Sequence, residues 1–179
     1  KYLKKASRKH GVNTVVLRAP VIYGGGMNPY SSGMKTFQGI RKGIMPVSGK
    51  GGTIYNLLYI GNLCEAIYLS LQSEKDFTIY HVNEGPYTLG YAVEQISEVL
   101  GVQKGYKKIP KPILWTMTLL SEILKPFLKG PPPLSWTKYR SLTSDIWNMD
   151  YSKIRRELNY KPIYSLREGA RLTKEYYGW

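Results

Sequence analysis

The chain of 179 residues carries 26 Lys and Arg against 12 Asp and Glu, a formal net charge of +14, with 42% apolar residues and one cysteine, Cys64. That apolar fraction can build a core, which argues against disorder, and a lone cysteine excludes both an internal disulfide framework and a thiolate cluster for zinc. His10 and His81 lie far apart in sequence and outside any ligand pattern, so no metal site is expected.

The chain opens at Lys1 on a basic, polar stretch with no apolar run behind it, so no signal peptide is expected. Tyr2 to His10 reads as the end of a helix stopped by Gly11, and Thr14 to Leu17 as a strand. A short β-branched run without alternation suits a strand buried on both faces of a parallel sheet. Helix, tight turn and buried strand make half of a βαβ unit, so a further strand is expected upstream. The glycine-rich loop Gly24-Gly25-Gly26 runs on through Pro29, Tyr30 and Gly33, and Met34 to Arg41 can form a short helix. Ile54 to Ile60 reads as a strand, and Leu63 to Leu71 as a helix with Leu63, Ala66, Ile67 and Leu71 on its inner face. Phe77 to Val82 is a further strand. Thr88 caps a helix to Leu100 that presents Val93, Ile96, Val99 and Leu100, and Gly101 ends it.

The composition then shifts, for six of the eleven prolines fall at Pro110, Pro112, Pro126 and Pro131 to Pro133. They bracket an amphipathic helix, Ile113 to Leu124, in an irregular excursion from the sheet. That helix is interrupted by Thr116, Thr118, Ser121 and Glu122 and falls short of the roughly 20 apolar residues needed to cross a bilayer. A soluble, cytoplasmic protein is the expectation. Ser165-Leu166-Arg167-Glu168 is a capping box that starts a helix to Tyr177. Strands alternating with helices, then a helical tail, give an α/β fold.

Four segments carry more than secondary structure. Leu17-Arg18-Ala19-Pro20-Val21-Ile22-Tyr23-Gly24 resembles the LRPxxVYGP turn of extended short-chain dehydrogenases/reductases, with Ala19 where that family prefers Pro. Asn56 to Ala66 resembles the DFVYVDDLAEA strand-to-helix junction, with Asn62 in place of the usual Asp and still able to cap the helix. Tyr80-His81-Val82-Asn83-Glu84-Gly85 with Thr88 is similar to YNVGGGxPxT, and Asp150 to Gly169 to DxSKARRELGYxPxxSLEEG. The segments are collinear and span nearly the whole chain.

The resemblance implies the carboxy-terminal half of an NAD-dependent epimerase/dehydratase or a 3β-hydroxysteroid dehydrogenase-like enzyme. It implies the last strands of a Rossmann-type parallel sheet with a mostly helical substrate-binding lobe. Residues 1–101 would complete the dinucleotide-binding domain and carry an inserted substrate loop, and 102–179 would form the lobe and C-terminal helices. NAD or NADP would meet the backbone of Ala19, Pro20, Val21 and Ile22 at the carboxyl end of a strand. Tyr23, Gly24, Tyr30, Tyr55 and Asn56 would line the substrate side. The family's Tyr-x-x-x-Lys pair, in which the Lys lowers the phenol pKa, is missing: none of the sixteen tyrosines has Lys four residues later. No catalytic residue is therefore assigned, and family spacing would put the Lys a few residues before Lys1. The dinucleotide fingerprint is missing too, since neither Gly24-x-Gly26 nor Gly49-x-Gly51 continues with x-x-Gly.

The substrate stays open between a nucleotide sugar and a bulky apolar alcohol or ketone. Many family members place a diphosphate-binding Arg near Tyr55 and Asn56, and its absence favours the apolar class. The charge favours the sugar nucleotide, because no acid precedes Glu65 while Lys1, Lys4, Lys5, Arg8, Lys9, Arg18, Lys35, Arg41, Lys42 and Lys50 do. A different class of reading is a non-catalytic basic module on nucleic acid or anionic membrane. No nucleic-acid motif supports it. Helix Ile113 to Leu124, with Lys107, Lys108, Lys111, Lys125 and Lys129 around it, is read as packed on the lobe, with a lid or a membrane contact as alternatives. A homodimer is left open.

Overall fold

The computed structural model describes residues 2–48, 52–103, 105–127, 134–143 and 148–179. Lys1, Gly49, Lys50, Gly51, Lys129 and Pro131 to Pro133, which figure in the sequence reading, lie outside them. In chain order the elements are α1 (Tyr2–His10), β1 (Thr14–Arg18), β2 (Val21–Tyr23), α2 (Ser32–Arg41), β3 (Met45–Ser48), β4 (Ile54–Tyr55) and β5 (Leu57–Tyr59). There follow α3 (Ile60–Leu71), β6 (Phe77–His81), β7 (Tyr87–Thr88), α4 (Leu89–Leu100), β8 (Tyr106–Ile109) and α5 (Lys111–Ile123). A 3-10 turn over Lys125–Phe127 precedes α6 (Trp136–Thr143), α7 (Ser152–Leu158) and α8 (Leu166–Tyr177).

Two compact units interleave along the chain, one of residues 1–35, 56–86 and 149–179, the other of 36–55 and 87–148.

The first unit holds two parallel strand pairs. β1 runs beside β6 with Thr14 opposite Phe77 and Arg18 opposite His81, and Val82 N–H extends the ladder to Arg18 O at 2.9 Å. β2 runs beside β5 from Val21–Leu57 to Tyr23–Tyr59. Its core gathers Leu58, Ala66, Tyr80, Val82, Ile154 and Tyr160, with Val15, Leu17 and Ala19 packed against it. β1 is half-buried rather than enclosed on both faces, because among the described residues it has a strand neighbour on one edge alone. Ser7 ties α1 down, its hydroxyl lying 2.7 Å from Val12 O and 2.6 Å from Asp76 O with one proton to give to either. Gly11 ends that helix at φ +61, a left-handed turn that glycine adopts without a Cβ clash.

Of the four side chains expected on the inner face of α3, Leu63 and Ala66 pack on the core and Ile67 and Leu71 do not. Ala66 is buried, but so are Asn62 and Ser70, while Ile67 and Leu71 point to solvent. Small side chains at i, i+4 and i+8 let the helix sit close, and Ser70 returns its hydroxyl to Ala66 O at 2.6 Å. The expected strand over Ile54 to Ile60 is also broken. Asn56 leaves the ladder between β4 and β5, and Ile60 already belongs to α3.

In the second unit β3 pairs in parallel with β8, Met45 opposite Tyr106, and β4 antiparallel with β7. Pro46 is tolerated in β3 at the edge of this pair. α4 buries Leu89, Ala92, Val93 and Ile96 at helical spacing. The Thr88 hydroxyl accepts Tyr91 N–H at its start, and Gly101 closes it at φ +75. Phe37, Ile40, Val47 and Leu114 are buried in the same unit.

Truncating Ile154, fully buried in the first core, is expected to cost about 2–5 kcal/mol as Ile154→Ala. Leu71→Ala, at a side chain 81% exposed, should stay within about 0.5 kcal/mol. Urea unfolding midpoints compare the two.

Candidate functional site

β1 ends at Arg18 and β6 at His81, side by side in register, so the residues that follow leave the carboxyl end of a parallel pair together. Ligands of open α/β sheets bind outside such ends. Ala19 and Pro20, the expected cofactor contacts, form the half-buried link to β2, and Val21 and Ile22 lie in β2 itself. Ile22 is partly exposed, whereas Tyr23 is fully buried.

Tyr23 is held by a group that sequence reasoning passed over. Glu84, beyond the end of β6, is 7% exposed. Its Oε1 accepts the Tyr23 hydroxyl at 3.0 Å, and its Oε2 accepts Tyr59 N–H at 2.7 Å and Asn62 Nδ2 at 2.9 Å. Asn62 then grips the segment before α8. Its Oδ1 accepts the N–H groups of Ile163 and Tyr164, both at 2.9 Å, and its Nδ2 also donates to Tyr164 O at 2.9 Å. The expectation that Asn62 caps α3 is thereby corrected. The cap position is Tyr59, which makes no side-chain cap bond, and the Asn62 amide is engaged with Glu84 and residues 163–164. A capping side chain must reach back to N–H groups of its own helix; this one reaches across.

Tyr59 stands in an aromatic row, 5.5 Å from the Tyr23 ring and 5.1 Å from Tyr164 edge-on. α8 fits against this row through Gly169, where a Cβ would meet the Tyr23 hydroxyl at 2.6 Å and the Tyr59 ring at 2.9 Å. Burial raises the Glu84 carboxyl above its usual range, opposed by the Tyr59 N–H, the Asn62 amide and the Tyr23 hydroxyl.

The other expected substrate residues are dispersed. Gly24 follows Tyr23 at φ +139, where a Cβ would run into Ile60. Tyr30 is 82% exposed in the loop, its N–H donating to Asn28 Oδ1 at 2.8 Å. Asn56 is buried and accepts Asn83 Nδ2 on its Oδ1 at 2.8 Å. Tyr55 belongs to the second unit, where its hydroxyl lies 2.8 Å from Thr36 Oγ1 and burial raises its pKa. Ala19 to Gly24 and Asn56 thus share the first unit with Tyr30. Glu84, Tyr59, Tyr164 and Gly169 complete its polar and aromatic centre.

No family model matches this sequence. The uncharacterized protein YbjS of Escherichia coli K12 is 25% identical over 128 residues, covering 69% of this chain and 38% of that protein. A UDP-glucose 4-epimerase from Thermotoga maritima, solved with UDP-glucose, superposes with a TM-score of 0.65 at 21% identity over 99% of this chain and 50% of its own. DesIV, a dTDP-glucose 4,6-dehydratase from Streptomyces venezuelae with NAD and TYD bound, gives 0.63 at 19% over 98% and 47%. The chain has half of their fold. It spans about half the length of these solved structures and less of the curated relative.

Two measurements test this centre. Gly169→Ala should destabilise the chain by about 1–3 kcal/mol, because the new methyl meets two ring systems that cannot both retreat. Glu84 gives a signed pH effect. A carboxyl with a raised folded pKa favours the protonated native state, so its contribution is full below the ordinary glutamate pKa and is lost as pH rises through the raised value. The stability of the wild type relative to Glu84→Gln should therefore fall across that window in urea titrations. A pH-independent difference would show that the donors balance burial, and one that rises with pH that they outweigh it.

Proposed function

We propose that the chain is the carboxy-terminal half of an extended short-chain dehydrogenase/reductase and supplies the substrate side and one cofactor-facing edge of its cleft. The observation that carries this reading is the match of 99% of the chain to half of a UDP-glucose 4-epimerase, in a sequence whose four collinear segments resemble the family's C-terminal half. In this reading residues 1–101 finish the dinucleotide-binding domain and 102–179 form mainly the substrate lobe.

NAD or NADP fits the carboxyl end of β1. The link there offers a small side chain at Ala19 and, at Pro20, a residue without an N–H to continue the ladder, so the backbone turns out of the sheet beside a ligand. The nicotinamide supplies hydride transfer when bound. Ala19 to Ile22 would orient it. Tyr23, locked by Glu84, would fix the glycine-rich loop that follows, and that loop with Tyr30 and Asn56 would face the substrate. The Tyr-x-x-x-Lys proton donor would come from the segment upstream.

The reaction class is oxidoreduction at a carbinol carbon, on its own or within an epimerisation or dehydration. A bulky apolar alcohol or ketone is the second substrate reading. Tyr55 favours it: the phenol brings no charge for a diphosphate, and its hydroxyl is already engaged with Thr36. The protein with its native upstream segment is expected to bind NAD(H) or NADP(H) by calorimetry, and the 179-residue chain alone to show no nicotinamide-dependent turnover. Failure of the longer protein to bind either dinucleotide, or robust turnover by the chain alone, would overturn the assignment.

A further inference from the structure

α5 has two apolar faces. Leu114 and Thr118 are buried, and Trp115 meets Trp136 of α6 edge-on at 6.2 Å. Roughly a quarter-turn around the helix, Ile113, Met117, Leu120 and Leu124 follow a spacing of four, three and four, so they share one stripe. Their exposures are 50%, 49%, 58% and 44%, and Ile123 and Phe127 extend the stripe at 60% and 84%. A helix packed wholly on its own lobe would bury one stripe and show solvent a polar one. This helix shows solvent its greasiest side chains.

Charge decides what covers them. Between Val99 and Thr143 the sequence holds one acid, Glu122, against Lys104, Lys107, Lys108, Lys111, Lys125, Lys129, Lys138 and Arg140. Glu122 is itself engaged, accepting Trp136 N–H at 3.3 Å with Lys125 Nζ at 3.8 Å. A second copy seated antiparallel on the stripe would bring Lys111 of one helix towards Lys125 of the other, with no acid but the engaged Glu122 in that stretch to separate them. An anionic surface meets no such penalty. Lysines at both ends of a short apolar stripe match an interface that is greasy inside and negative outside. Among the described residues no helix is long and apolar enough to cross a membrane, so the fit is to a helix lying in the surface.

We propose that the exposed stripe of α5 docks on an anionic lipid bilayer, its apolar side chains entering the headgroup boundary and the surrounding lysines meeting the lipid phosphates and carboxylates. The proposal is independent of the dehydrogenase reading, since it uses neither the cofactor edge nor the Glu84 centre.

The chain is to be sedimented with vesicles of phosphatidylcholine mixed with phosphatidylserine, and with phosphatidylcholine alone. Binding is expected to the mixed vesicles, weakened by added salt, and far less to the neutral ones. Leu120→Glu and Phe127→Glu, both at exposed positions, should each lower the partition coefficient roughly tenfold or more, because a carboxylate must then enter the apolar boundary. Leu71→Glu, at a position on α3 more exposed than Leu120, should leave it unchanged. Tryptophan fluorescence, summed over the four tryptophans of the unsubstituted chain, is the second readout, with a blue shift and partial quenching by brominated lipid expected on the mixed vesicles.

Absence of sedimentation with the mixed vesicles would overturn the proposal. So would equal losses for Leu71→Glu, unaltered binding by Leu120→Glu, or a dimer in solution that Leu120→Glu dissociates. Loss of binding when the native upstream segment is present would assign the stripe to that segment instead.

Discussion

A buried carboxylate holds the first unit together. Glu84 leaves the end of β6 and draws in a hydroxyl from β2, an N–H from the β5–α3 junction and an amide from the first turn of α3. Burying such a group is costly unless its lone pairs are filled, and here three donors fill them. Asn62 carries the constraint one step further by clamping residues 163–164, so the approach to α8 is set by the same group that fixes the end of β2. The choice of Asn is dictated from both sides. Its nitrogen must give to Glu84 while its oxygen takes two backbone N–H groups, and a carboxylate at position 62 would set like charge against like.

Local signals in the sequence translated well. Gly11, Thr88, Gly101 and Ser165 act through their own turn or cap, and the structure places each where a neighbouring backbone group needs it. The match of the fold to half an epimerase likewise follows from segments whose order is visible in one dimension. What could not be read was any role settled by a distant partner. Glu84 meets residues 61, 25 and 22 positions away, and nothing near it in sequence marks it as buried. The inner face of α3 was misjudged for the same reason, since close approach there selects Asn62, Ala66 and Ser70 over the larger Ile67 and Leu71. Pro46 sits within β3 because, among the described residues, that strand is paired on one side alone.

The pattern of occupied polar groups bears on function more than any one residue does. Tyr23 is engaged with Glu84, Tyr55 with Thr36 and Asn56 with Asn83. Three of the side chains expected to face substrate are therefore already bonded within the chain. These bonds fix backbone within each unit, while Tyr30 stays exposed. If the chain is one half of a two-part site, as proposed, its own polar groups serve to hold backbone in place, and the proton-transfer pair is left for the other half to bring.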